Sequence, residues 1–322
     1  MGFLGLSRQA LRRRAYSFSF ALKPRHQARF RTLDAARQAE LAALTRSHYK
    51  NVTDEGDLDA ALAGALSEDR LANVPWLDAA HPLEGARILE IGAGTGESTL
   101  ALAEQGAIVT GVDVDEGALS AGRERCRIYG LEAEFAVGNA AEVDQQFSGR
   151  VFDMVIFFAS LEHMTLDERL AAMTGSWRLL KPGGVWCVIE APNRLWFWDG
   201  HTSMDNFYNW LPDELAQRWA HRAARQAFAA DFPAGKAFDP VAVARWGRGV
   251  SHHEFDLAFG DARKLDVISD KSSFLRRSNP LLFAHSLVSK GRRYERFLES
   301  LDRSINPGFF RQYLDLAIRK PV

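Results

Sequence analysis

The chain has 322 residues, 47% hydrophobic and 25% charged, with a formal net charge of −1. That length suits one well-packed α/β domain with added elements, and the near-zero charge excludes a strong polyanion-binding field over the whole protein. The two cysteines, Cys126 and Cys187, make neither a disulfide framework nor a zinc site, so a reducing, cytoplasmic setting is expected.

Residues 1–33 carry Arg8, Arg12, Arg13, Arg14, Lys23, Arg25, Arg29 and Arg31 and no acid, while Leu4, Leu11, Ala15, Phe18 and Leu22 fall on one helical stripe. Pro24 is expected to end that helix. Three readings stand side by side: a helix packed on the domain, a peripheral contact of residues 1–31 with anionic membrane at its inner surface, and an organelle transit peptide. Helices are expected over Ala35–Leu44 and Leu58–Leu71, which with the basic segment make a helical N-terminal extension, residues 1–80.

A different pattern starts at residue 87. RILEIG (87–92), AIVTGVDV (107–114), Glu132–Val137, FDMVIFF (152–158) and VWCVIE (185–190) are short apolar strands, and helices are expected between them over Glu97–Gln105, Glu116–Tyr129 and from Leu166 to Leu180. Thr165 and Glu168 have capping-box spacing, and Lys181-Pro-Gly-Gly184 reads as a break. Strands alternating with helices predict a doubly wound, mostly parallel sheet buried on both faces. LDVIS (265–269) and YLDLAIRK (313–320) bring the strands to seven. Residues 191–262 are irregular and aromatic, with one helix from about Pro212 to Ala230, and are expected to be a cap inserted after strand five. The main domain is then 81–322.

Gly92, Ala93, Gly94 and Gly96 lie between the first strand and a helix N-terminus, where a backbone turn can approach a ligand. A dinucleotide fingerprint needs glycine at the position of Glu97, and a P-loop needs Gly-Lys-Ser/Thr, so both are excluded. Glu90 before the turn would repel phosphate and suits a ligand bearing an ammonium group. Asp113, closing the second strand, is placed to accept hydrogen bonds from ribose hydroxyls.

LEIGAGTG, GVD, GNAAEV (138–143), FDMVIFFASLEHM (152–164) and LLKPGG (179–184), in that order, resemble the class I S-adenosylmethionine-dependent methyltransferases over about residues 85–190. The resemblance implies a Rossmann-like methyltransferase fold and S-adenosyl-L-methionine as cofactor. It implies Glu90 and the Gly92–Gly96 backbone at the methionine end, Asp113 on the ribose, Asn139 and Ala140 at the adenine edge and Val114 on the ring face. The strand-four segment, with Phe157, is implied to line the cofactor. Asn139 stands where the family usually has Asp; Asn keeps one acceptor and adds two donors.

Transfer to a hydroxyl needs a base within hydrogen-bond reach. His201, in PNRLWFWDGHTSMDNFYNWLP (192–212), is the first candidate, with His163 and His253 behind it; Glu190 ends strand five. The 192–212 segment resembles the acceptor-binding part of bacterial cell-surface glycan and secondary-metabolite methyltransferases. Ser251 and Glu254 fit a capping box, so Glu254 is expected to be structural. Asp199, His201 and the 252–253 pair lack dense ligand spacing, so no metal site is expected. The Phe-Phe-Ala-Ser run after strand four and the absence of an RNA-binding module speak against nucleic acid. The expected activity is O-methylation of a small molecule or glycan. Alternatives are N- or C-methylation of a metabolite or protein, aminopropyl transfer, and a cofactor-binding regulatory protein without catalysis. The oligomeric state is not legible.

Overall fold

The computed structural model describes residues 22–48, 66–278 and 290–322. The apolar stripe from Leu4 to Phe18 and most of the expected helix 58–71 lie outside the described residues. Pro24 opens a short helix, Pro24–Gln27, at the position where a missing N–H costs nothing.

A seven-stranded sheet organises the chain: β1 (Arg87–Ile91), β2 (Ile108–Asp113), β3 (Glu134–Val137), β4 (Phe152–Phe158), β5 (Leu180–Pro192), β6 (Asp266–Asp270) and β7 (Tyr313–Arg319), in the order β3-β2-β1-β4-β5-β7-β6. The strands β3, β2, β1, β4 and β5 pair in parallel, and β7 runs antiparallel between β5 and β6. The strand order reverses between β1 and β4, which opens a crevice at their carboxyl ends.

Alternate residues of the same strand feed opposite faces, as a pleated strand must. Val155 and Phe157 join Trp186, Met173 and Phe255 on one face. Met154 and Ile156 join Trp76, Leu100 and Ile128 on the other. Helices Leu166–Leu179 and His252–Phe259 cover the first face; helices Val74–Ala80, Glu97–Glu104 and Glu116–Tyr129 cover the second. Asp115 caps Glu116–Tyr129, and Gly130 closes it with left-handed backbone (φ 66°). The Thr165–Glu168 and Ser251–Glu254 capping boxes both form.

Two expectations fail on local geometry. Lys181–Gly184 is not a break between helix and strand; β5 runs through it, with the register slipping between the Phe152↔Leu180 and Met154↔Val185 pairs. Gly184 is there because a Cβ would meet the backbone oxygens of Lys181 and Asp153 at 2.9 and 3.0 Å. The helix expected over 212–230 is two helices, Asp213–Ala220 and Gln226–Asp231. These pack with helix Pro240–Arg245 around a small core of their own, in which Tyr208, Phe228, Phe232 and Val243 are buried. No helix among the described residues is long and apolar enough to cross a membrane.

Candidate active site

The glycine turn closes onto the end of β2. Gly92 and Ala93 N–H both donate to Val112 O, and Gly94 N–H donates to Asp113 Oδ2 at 2.9 Å. Gly92, Gly94 and Gly96 all have positive φ (84°, 49° and 77°). A Cβ on Gly92 would lie 2.4 Å from Ser160 Cβ, and one on Gly96 would lie 2.8 Å from Gly122 Cα. The first glycine therefore admits the end of β4, and the third lets two helices touch. Glu90 is wholly buried under the turn and accepts hydrogen bonds from Ser98 Oγ and Thr99 Oγ1. Burial pushes its carboxyl up to about 7.

Above the turn is a cleft of about 320 Å³ lined by Gly92–Thr95, Glu97, Ser98, Phe158 and Glu190, and by Glu68, Asp69 and Asn73 from the N-terminal extension. Four carboxyl groups stand in its wall, of which Glu97 pairs with Arg125 (2.6 Å) and Glu190 with Lys271 (3.3 Å). Asp69 is buried, accepts from Asn73 Nδ2 at 2.8 Å, and is driven well above the usual carboxylate range by that burial. Two non-glycine residues at the carboxyl ends of neighbouring strands, Ala159 after β4 (φ 41°) and Glu190 in β5 (φ 61°), hold left-handed backbone. Strain of that kind persists only where the surroundings enforce it.

The remaining expected cofactor residues scatter. Asp113 ends β2 beside the turn, and Val114 after it is 73% exposed. Asn139 spends its Oδ1 on Ala141 N–H (3.0 Å), capping the turn Ala140–Glu142; Ala140 is buried. Phe157 points into the core, 5.2 Å from Trp186, and its neighbour Phe158 faces the cleft. The period-two pleat decides between them.

A second cluster stands next to the cleft. The turn Leu161–His163 begins at Ser160, the residue that abuts Gly92. Glu162 is wholly buried, and among the described residues neither carboxylate oxygen has a hydrogen-bond partner. His163 Nε2 lies 3.9 Å and His201 Nε2 3.7 Å from its Oε1, with the imidazole rings 5.1 Å apart. Burial pushes the Glu162 carboxyl up to about 8 and the His201 imidazole down to about 4; His163 is also lowered, again by burial first. Asp199 holds the loop that carries His201: its oxygens accept from the N–H groups of His201, Thr202 and Ser203 and from Ser203 Oγ.

So His163 and His201, named from sequence as separate candidates, meet. His253 does not join them; it is exposed on its helix, its ring 4.1 Å from that of His252. Glu254 pairs with buried Arg169 at 2.6 Å, a structural role. Sequence reasoning passed over Glu162, which looked like one more acid at a helix start, and Asp69 and Asn73, whose segment gave no motif.

A sheet of this order, with a glycine turn after β1 and an acid closing β2, agrees with the methyltransferase-like fold expected from the sequence. Residues 88–184 match the family model described as a methyltransferase domain, so the chain carries such a domain. Among curated proteins it is similar to the ubiquinone biosynthesis O-methyltransferase of Thiobacillus denitrificans, 32% identical over 129 residues (40% of this chain, 54% of that protein). It is also similar to the demethylmenaquinone methyltransferase of Clavibacter sepedonicus, 37% identical over 136 residues (40% and 51%). The chain spans about half the length of these relatives. A solved structure, the SAM-bound amino pentose methyltransferase CalS10 from Micromonospora echinaspora, is 27% identical, covering 38% of this chain and 47% of that one, with a TM-score of 0.31.

Proposed function

We propose that the chain transfers a methyl group to a hydroxyl oxygen of a small-molecule or glycan acceptor. The observation that supports this reading is the cluster Glu162, His163 and His201, gathered at the turn that starts at Ser160, the residue packed against Gly92 of the glycine turn.

The residues present fit the cofactor: a turn of three glycines at positive φ lining the cleft, with Asp113 holding Gly94 N–H at its rim. When bound, S-adenosylmethionine supplies an electrophilic methyl group on a sulfonium. The backbone of Gly92, Ala93, Gly94 and Gly96 receives it, Asp113 takes the ribose hydroxyls, Asn139 and Ala140 meet the adenine edge and Val114 its face. Glu90 acts from beneath the turn by charge, since its oxygens are already engaged. His201 Nε2 accepts the acceptor's hydroxyl proton, and an imidazole kept neutral by burial is free to do so at pH 7. Residues 191–262 close over the acceptor and exclude water. The basic segment 1–31 adds a contact with anionic lipid, checked by vesicle sedimentation that high salt abolishes.

The test is transfer of labelled methyl to a panel of polyols, sugars and phenols. His201→Ala should lower kcat by about 10²–10⁴-fold while S-adenosylhomocysteine binding stays within a few-fold. Cofactor binding with no transfer to oxygen, nitrogen or carbon in any acceptor would instead favour a regulatory cofactor-binding protein.

A further inference from the structure

Apart from a proton on Glu162 itself, the three side chains Glu162, His163 and His201 present only acceptors to one another. His163 Nδ1 lies 2.9 Å from Arg245 O. A carbonyl only accepts, so Nδ1 carries the hydrogen and, in the neutral ring, Nε2 carries the lone pair. The same holds for His201 by a longer chain of reasoning. Thr202 Oγ1 lies 2.7 Å from Gly247 O and spends its one hydrogen there. Its oxygen then accepts from His201 Nδ1, 3.1 Å away, which leaves the lone pair on Nε2. Both Nε2 lone pairs face Glu162, a fully buried carboxylate with neither oxygen hydrogen-bonded among the described residues.

Turning two imidazole lone pairs toward a fully buried carboxylate costs free energy unless a proton or a positive ion sits among them. The nearby guanidinium groups do not fill that role. Arg169 donates to the carbonyls of Leu161 and Met164 and pairs with Glu254; Arg245 holds His163 O and Glu168; Arg225 holds His201 O.

We propose that Glu162, His163 and His201 bind a divalent transition-metal ion. The three ligand atoms lie within 4.8 Å of one another. Metal–ligand bonds of about 2.0–2.2 Å would span such separations after a contraction of under about 1 Å at each side chain. Each histidine gives its other ring N–H to an oxygen acceptor, the usual support of a metal-bound imidazole. Two imidazoles and one carboxylate suit the zinc, cobalt(II), iron(II) and manganese(II) group of ions. The side chains of His163 and His201 are 39% and 24% exposed, so the ion would keep an open side toward solvent. Gly247 makes room for the His201 ring: with φ 103°, a Cβ there would lie 2.7 Å from His201 Cε1 and Nδ1. The inference stands on these contacts and not on the choice of acceptor. With the ion in place, His201 serves as a ligand instead of taking a proton itself.

The test uses the full chain after chelation, titrated with Co²⁺ alone and then displaced by Zn²⁺. One equivalent should bind, with visible d–d absorption, and thermal unfolding should shift upward. Glu162→Gln and His201→Ala should each weaken Co²⁺ binding by about tenfold or more, and Gly247→Ala, which displaces the His201 ring but keeps every donor, should weaken it too. His253→Ala should leave binding unchanged. Retained S-adenosylhomocysteine binding certifies that each variant is folded, which also separates failure here from failure of the methyl-transfer reading. The proposal is overturned if wild-type protein binds no Co²⁺ at millimolar concentration, or if binding is undiminished in Glu162→Gln and His201→Ala. Glu162→Gln raising stability with no metal response in the wild type would assign the cluster to a shared proton instead.

Discussion

Lys271 Nζ lies 3.3 Å from Glu190 Oε1, tying helix Lys271–Ser278 to the strained end of β5. The same ammonium reaches Asp315 on β7 (3.1 Å) and Asn73 Oδ1 (3.1 Å), so one buried cation joins the N-terminal extension, the sheet and the cleft wall. Removing it should strand Asp315, whose carboxyl burial already pushes upward. Lys271→Met should therefore cost about 3 kcal/mol in urea unfolding and weaken cofactor binding, since Glu190 and Asn73 both line the cleft. Lys271→Met combined with Asp315→Asn should recover part of the stability but not the affinity.

The three turn glycines should not be equivalent. Gly94 has open space where a Cβ would go, so Gly94→Ala meets only the left-handed backbone penalty, about 1–2 kcal/mol. Gly92→Ala adds a collision with Ser160, whose hydroxyl donates to Ile91 O. Calorimetric titration with S-adenosylhomocysteine should show Gly94→Ala weakened and Gly92→Ala without measurable binding.

Glu90 gives the cofactor-free protein a pH dependence of definite sign. Its carboxyl rises from an ordinary 4.5 to about 7 in the fold, burial outweighing the two hydroxyl hydrogen bonds. The folded state therefore holds a proton that the unfolded chain has released. Stability relative to Glu90→Gln is fully present below pH 4.5 and is lost as pH rises through 7, by on the order of 3 kcal/mol. Denaturant midpoints of both proteins from pH 4 to 8 measure the difference.

Arg245 and Glu168 should respond to acid in the opposite sense. The guanidinium pairs with both carboxylate oxygens and holds Glu168 down at about 2, latching residues 191–262 to helix Leu166–Leu179. A depressed carboxyl contributes stability above 4.5 that is lost as pH falls through 2. Both partners are substantially solvated, so Arg245→Ala should cost no more than about 1 kcal/mol globally. Hydrogen exchange over 240–247 should nonetheless quicken, because the same side chain also holds His163 O.

The sheet was legible where one residue type had one physical reason to be present. Gly92, Gly96 and Gly130 sit at positive φ, Asp115 and Thr165 cap, and apolar runs such as FDMVIFF are buried on both faces. Legibility ended where a side chain's meaning depends on a distant partner. The carboxylate of Glu162 gains its significance from His201, which arrives on a loop organised by Asp199. Asp69 and Asn73 reach the cleft through a π-helical turn that no periodicity announces. His201, His163 and His253 were indistinguishable as residue types, and only the path of the chain separated the pair from the third.

The cleft's outer wall, Glu68, Asp69 and Asn73, comes from upstream of the family-matching segment 88–184, and Glu190 comes from downstream of it. A chimaera that kept residues 88–184 and exchanged the flanks would inherit the glycine turn and Asp113 with an open door on two sides. Grafting this protein's chemistry onto another scaffold thus requires moving three separate stretches of sequence together.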